Sequence, residues 1–232
     1  MNNEQLVIDR EWTGVVKWGG LALLIGAIIL VLFVIGVFGS GQEIPVPADE
    51  MLEDPAVPTG LFVMTSVGEF LLLPGALAMY FVLKNVRRAS MLIATCMYAV
   101  SVMLFLASRG MIISISQISN QYNEATSEVV RSSYLASAEL ALETQNIYAA
   151  MALILLCTAS IMFGIVMLKG SFGGRIGYVV IVASIFTYFS PFTAMMTELP
   201  IILPFIGLIL TAIWQSLVGF KLFKMGNEAS AT

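Results

Sequence analysis

Long apolar segments separated by short polar breaks dominate the chain. Six of them read as helices, at about 14–38, 59–83, 90–118, 128–168, 175–197 and 200–223. Each reaches or exceeds the roughly 20 residues that a helix needs to cross a bilayer. Strict alternation of apolar and polar positions, the mark of a half-buried strand, is missing from these runs. The pattern predicts an all-α polytopic membrane protein, with residues 1–232 forming one bundle of six transmembrane helices. The first run, Val15 to Phe38, is longer than the apolar region of a secretory signal. Glu4, Asp9 and Glu11 precede it where a signal would be basic, so it is expected to be a retained helix. Trp12 and Trp18 sit where interfacial aromatics would anchor its entry.

Segments three and four overrun a membrane. About 20 residues from Ala89 reach the outer interface near Arg109, yet helix-compatible sequence continues to Ile118. The return helix starts near Ser127, a hydroxyl N-cap followed by the acid Glu128. Residues 117–145 are therefore expected to form a helical hairpin projecting outward, its turn around Asn120 to Thr126. Pro74 falls inside segment two and is expected to kink it. Pro191 falls near the outer end of segment five, and Pro200 and Pro204 lie in the first turns of segment six. Ala22 with Gly26, and Gly173 with Gly177, have small-residue spacing suited to close helix contact.

Composition strengthens the membrane reading. Of 232 residues 59% are hydrophobic and 11% charged, and the mean hydropathy is +0.92. A soluble domain carries about 25% charged residues and could not clothe its surface with so few. The charges that remain are sorted. Arg10, Lys17, Lys84, Arg87, Arg88, Lys169, Arg175, Lys221 and Lys224 fall on one side of the alternation, against only Arg109 and Arg131 on the other. That bias predicts both termini and the loops after segments two and four in the cytoplasm, a multi-pass arrangement in a cell membrane with the basic loops meeting lipid headgroups. The outer loop at 39–58 is acidic and proline-rich, with Glu43, Asp49, Glu50, Glu53 and Asp54 and no base. It is expected to be extended and solvated; its acids lack the spacing of an EF-hand.

Histidine is absent, and the two cysteines, Cys96 and Cys157, lie singly in apolar runs. This excludes His-ligated haem, His-containing zinc sites and Ser-His-Asp chemistry, and a disulfide framework is not expected. No nucleotide, hydrolase or metalloprotease motif is present, so no catalytic residue, metal site or cofactor is assigned. Nucleic acid is not an expected partner. The fourteen methionines read as core and lipid-facing filler.

Ionisable groups within a bilayer cost about 2.5–3.5 kcal/mol each and mark positions of interest. Glu69 lies about 15 residues, or about 22 Å of rise, from the basic end of segment two. Arg109, Glu143 and Asn146 reach a similar height from segments three and four, and Glu139 stands one turn beyond Glu143. These residues predict an outward-facing polar pocket of Glu69, Arg109, Glu143 and Asn146, rimmed by Gln117, Glu139 and Gln145. Two readings stay open: a buried ion pair that fixes packing, or a site that binds, or binds and moves, a small ligand, lipid or cation. An intramembrane carboxylate enzyme is a third, weaker reading. A role as accessory subunit of a larger complex, contacting a protein partner through the hairpin, is the main alternative. No pattern recurs among the three possible helix pairs, which argues against an inverted-repeat transporter.

Three segments carry a family resemblance. They are Gly75 to Arg88 (GALAMYFVLKNVRR), Gly164 to Tyr178 (GIVMLKGSFGGRIGY) and Leu210 to Gly219 (LTAIWQSLVG). In layout the chain resembles the DUF4386 family of small prokaryotic six-helix membrane proteins. It departs from that pattern in having no proline between Phe172 and Arg175. The resemblance implies a six-helix bundle and no assigned activity, so no functional residue is carried over.

Overall fold

The computed structural model describes residues 10–40, 47–189 and 202–230. These residues form a one-turn 3-10 helix (Arg10–Trp12) and seven α-helices: α1 (Thr13–Ser40), α2 (Ala48–Glu53), α3 (Ala56–Leu83), α4 (Arg88–Glu124), α5 (Glu128–Met167), α6 (Gly174–Tyr188) and α7 (Ile202–Ser230). No strand occurs among them. Five helices are long and apolar enough to cross a membrane, and α6 is a shorter apolar helix of 15 residues within the described part. The protein is thus an all-helical, membrane-type bundle. The predicted continuation of segment five through 190–197, with Pro191, lies outside the described residues, as do Pro200 and the loop positions Gly41 to Val46.

The six longer helices pack as a ring in chain order, α1–α3–α4–α5–α6–α7, and α7 returns to α1. Neighbours run antiparallel: on α1, Gly19 faces Pro74 and Ala78 of α3, while Gly36 faces Leu61 nearer the start of α3. In apolar surroundings the hydrophobic effect gives little drive for helix association, so close van der Waals fit must supply it. Glycines provide that fit. A Cβ on Gly20 would stand 2.7 Å from the Gly219 carbonyl oxygen of α7, and one on Gly177 would stand 2.8 Å from the Gly164 oxygen of α5. Gly26 meets Gly68 across α1 and α3, and Ala22, one turn earlier on α1, is buried. The Gly173/Gly177 pair divides. Gly173 has nothing near its missing Cβ but adopts φ +86° in the turn before α6, a conformation that favours glycine. Helix α3 runs through Pro74 without a break in its assignment.

Two apolar cores result. The larger joins Met79, Leu83, Met91, Tyr98, Phe163 and Met167, with the Tyr98 and Phe163 rings edge-on at 5.9 Å. Near its end Trp12 stacks on Phe81 at 3.9 Å, tying the entry of α1 to α3. The smaller core joins Met51, Leu52, Ile112, Ile115 and Ala138 at the opposite end.

That smaller core corrects the reading of 39–58 as an extended loop. Its second part is helix α2, whose Ala48, Met51 and Leu52 are buried against α4 and α5. Positions i, i+3 and i+4 give the helix one apolar face, and Asp49 and Glu50 in its first turn suit the positive helix end. Helices α4 and α5 form a hairpin with its turn at 125–127, and α4 runs to Glu124, six residues beyond the expected Ile118. Ser127 stands at the N-cap position of α5 in extended backbone, but its hydroxyl makes no capping bond. Arg131 closes the tip instead: its Nε donates to the Ala125 carbonyl at 3.1 Å and its guanidinium lies 5.6 Å from the Tyr122 ring centre.

Candidate ligand cavity

Between the two cores all six longer helices contribute to one cavity of about 200 Å³. Its wall is mainly leucine, isoleucine, phenylalanine and glycine, including Ile29, Phe33, Leu72, Phe105 and Leu153. Six polar side chains interrupt it: Thr65, Glu69, Arg109, Thr187, Thr211 and Gln215. An apolar cavity of about 150 Å³ accommodates a benzene-sized molecule, so this one suits a slightly larger body.

The charged pair comes from α3 and α4. Arg109 Nη2 donates to Glu69 Oε1 at 2.6 Å, and Nε donates to the same oxygen at 3.2 Å. Both side chains are only 13% exposed. The guanidinium also lies over Phe62 and Phe105, 5.0 and 5.8 Å from their ring centres. That sandwich fixes its plane and supplies cation–π stabilisation where water is scarce. Both arginine donors converge on Oε1, and Glu69 Oε2 is buried with no hydrogen-bond partner among the described residues.

Gln215 of α7 repeats the situation. It is 4% exposed, and its Oε1 is also buried without a partner among the described residues. The neighbouring hydroxyls have spent their protons. Thr65 donates to the Phe62 carbonyl at 2.9 Å, and Thr187 to the Ala183 carbonyl at 2.9 Å. Thr187 and Thr211 oxygens are 3.1 Å apart. As Thr187 has used its proton, Thr211 is the donor in that contact, since each hydroxyl has one. The cavity wall therefore carries two unpaired acceptor oxygens, on Glu69 and Gln215, beside the remaining N–H donors of Arg109 and Gln215, inside an apolar shell. A buried acceptor left unpaired costs about 1–3 kcal/mol, so the arrangement favours a guest that brings donors.

Of the residues proposed from the sequence, Glu69 and Arg109 are brought together. Glu139, Glu143 and Asn146 are not: all three are exposed and none lines the cavity. Helix α5 buries Ala138, Gln145 and Ala152, spaced by seven, toward the bundle. Glu139, Glu143 and Asn146 are themselves spaced by four and three on another face. Their height was inferred from helical rise, but a helix also turns about 100° per residue, and that turn points them away. Gln145 is buried but does not line the cavity, and Gln117 is exposed.

Thr65, Thr187, Thr211 and Gln215 were not anticipated. A signal existed for part of the set. Thr211 and Gln215 stand at i and i+4 in an otherwise apolar helix, as do Thr65 and Glu69 in α3; such spacing puts both side chains on one face. Among the described residues no group of three or more acidic or cysteine side chains could hold a metal ion. Comparison with models of known protein families, with curated proteins and with solved structures found no match.

Proposed function

We propose that the protein is a non-enzymatic, multi-pass protein of a prokaryotic cytoplasmic membrane, whose central cavity binds a small, hydrogen-bond-donating ligand. Six spans, cytoplasmic termini and a DUF4386-like layout belong to this reading. Helices α4 and α5 have 37 and 40 residues, or about 55 and 60 Å of rise. Against a hydrocarbon core of about 30 Å, some 25–30 Å of hairpin stands on the acidic side. The cavity then lies within the membrane, toward that side.

One observation carries the proposal: Glu69 and Gln215, each with a buried side-chain oxygen that has no partner among the described residues, line the same cavity. A pair that served packing alone would be stabilised by enclosing both carboxylate oxygens in donors. Here one oxygen is paired, and the other belongs to a side chain beside space large enough for a guest. Glu69 and Arg109 therefore suit both readings of the sequence, holding α3 to α4 while leaving one acceptor oxygen unpaired. The enzyme reading gains no support, because Glu139 and Glu143 are remote from the cavity wall.

Native mass spectrometry of the full chain released from its own membrane tests the proposal. A small adduct is expected on the wild-type protein and is expected to be lost in Gln215→Leu, which removes the acceptor at nearly constant volume. A protein free of adduct, with a melting temperature unmoved by a panel of small alcohols and amides, would refute it.

The accessory-subunit reading has its own observation. Val129, Leu140 and Ile147 on α5 are 77%, 64% and 59% exposed, and the first two lie on the projecting part of the hairpin. An exposed apolar stripe beyond bilayer height fits a protein partner.

A further inference from the structure

We infer that the ligand is a single-chain amphiphile with a small, neutral, hydrogen-bond-donating head, its alkyl chain leaving the cavity between α1 and α7 into the bilayer. This inference rests on the cavity being a ligand site.

The route is visible in the packing of α1 on α7. At one end their backbones touch, where Gly20 meets Gly219 and Lys17 meets Gly226. Further along, a groove of about 490 Å³ opens between them on the outer face of the ring, lined by residues that include Val34, Ile35, Ile209 and Ile213. Leu30 of α1 and Leu208 of α7 line both this groove and the central cavity. These two side chains form the shared wall, and leucine rotamers move readily on fast timescales.

The two spaces differ in chemistry. The groove is apolar apart from Ser216, whose hydroxyl already donates to the Ala212 carbonyl at 2.8 Å. It offers a polar group nothing and an alkyl chain a complementary surface facing lipid. The cavity holds the unpaired acceptors. One molecule fits both if it has a donor at one end and a chain at the other. The head should be neutral because Glu69 and Arg109 offset each other, and an ionic head would leave a net charge buried. A primary alcohol meets each requirement.

The test is equilibrium binding of tritiated 1-hexanol and 1-dodecanol to the full chain in phosphatidylcholine nanodiscs, corrected with empty discs. Hexanol fits the cavity alone; dodecanol must reach into the groove. Both are expected to bind saturably. Ile213→Trp, which fills the groove at a position that does not line the cavity, is expected to weaken dodecanol by about tenfold while hexanol stays within about twofold. Val34→Trp fills the groove from α1 and gives a second measurement should Ile213→Trp fail to fold. Hexylamine, a cation at neutral pH, is expected to bind about tenfold more weakly than hexanol. If hexanol binds and neither tryptophan affects dodecanol, or dodecanol does not bind, the chain route is wrong and the cavity site stands. Equal binding of hexylamine overturns the neutral head. If neither alcohol binds saturably, the cavity reading and this inference fall together.

Discussion

Arg109 places two donors on one oxygen of Glu69, Nη2 at 2.6 Å and Nε at 3.2 Å, and the other oxygen has no partner among the described residues. The pair is one-sided, so its partners should be unequal under mutation. Arg109→Met strands a buried carboxylate and should destabilise the protein by about 3–5 kcal/mol. Glu69→Leu combined with Arg109→Met removes both charges and should recover most of that loss. Unfolding in detergent, read as a double-mutant cycle, checks this; additive losses would show that the two groups do not support each other.

How much of this was legible beforehand depends on the geometry involved. The height of Glu69 and Arg109 followed from counting residues at constant rise, and they meet. The facing of Glu143 and Asn146 depended on which side of α5 turns inward, which is decided by Ala138 and Ala152 packing against neighbours. Helix α2 was hidden because Pro47 and Pro55 bracket seven residues, and the six that are helical would not hold a helix alone. It forms on the surface supplied by Ile112, Ile115 and Ala138. The contact between Gly20 and Gly219 joins residues almost a full chain apart, and no local pattern predicts it. The overlooked Thr211 and Gln215, in contrast, could have been found from their spacing.

Gly20 tests the ring closure. A Cβ there would lie 2.5 Å from the Phe223 nitrogen and 2.7 Å from the Gly219 oxygen. Both are backbone atoms, so α1 and α7 must separate to admit it. Gly20→Ala should cost about 1–3 kcal/mol through overpacking and lower the melting temperature in detergent. Gly14→Ala is the control, as nothing lies within 4 Å of its Cβ position. Equal melting of the two variants would show that α1 and α7 are not in backbone contact.

The seat of α2 can be probed at Ser119. Its buried hydroxyl donates to the Leu52 carbonyl near the end of α2, and Asn123 Nδ2 reaches the same oxygen from 3.4 Å. Ser119→Ala leaves that carbonyl with only the longer bond. A loss of about 1 kcal/mol is expected, or about fivefold faster amide exchange confined to residues 48–54. Hydrogen exchange by mass spectrometry reads this directly. Faster exchange throughout α4 would instead mean that Ser119 supports the hairpin as a whole.

The orientation rests on charge alone and is separately testable. Nine basic residues against two should hold the basic ends in the cytoplasm, because their transfer across the membrane is disfavoured during insertion. The hairpin tip must then face outward, since it lies at the far ends of α4 and α5 from Arg88 and Met167. Ser133 is exposed on that hairpin and Lys224 is exposed near the end of α7. In a background with Cys96 and Cys157 replaced by alanine, Ser133→Cys should react with an impermeant maleimide on intact cells. Lys224→Cys should react only after permeabilisation. The reverse result would turn the protein over in the membrane and put the acidic helix α2 in the cytoplasm. Labelling of both sites on intact cells would break the odd number of crossings, by α5, α6 and α7, that separates the two sites in a six-span reading.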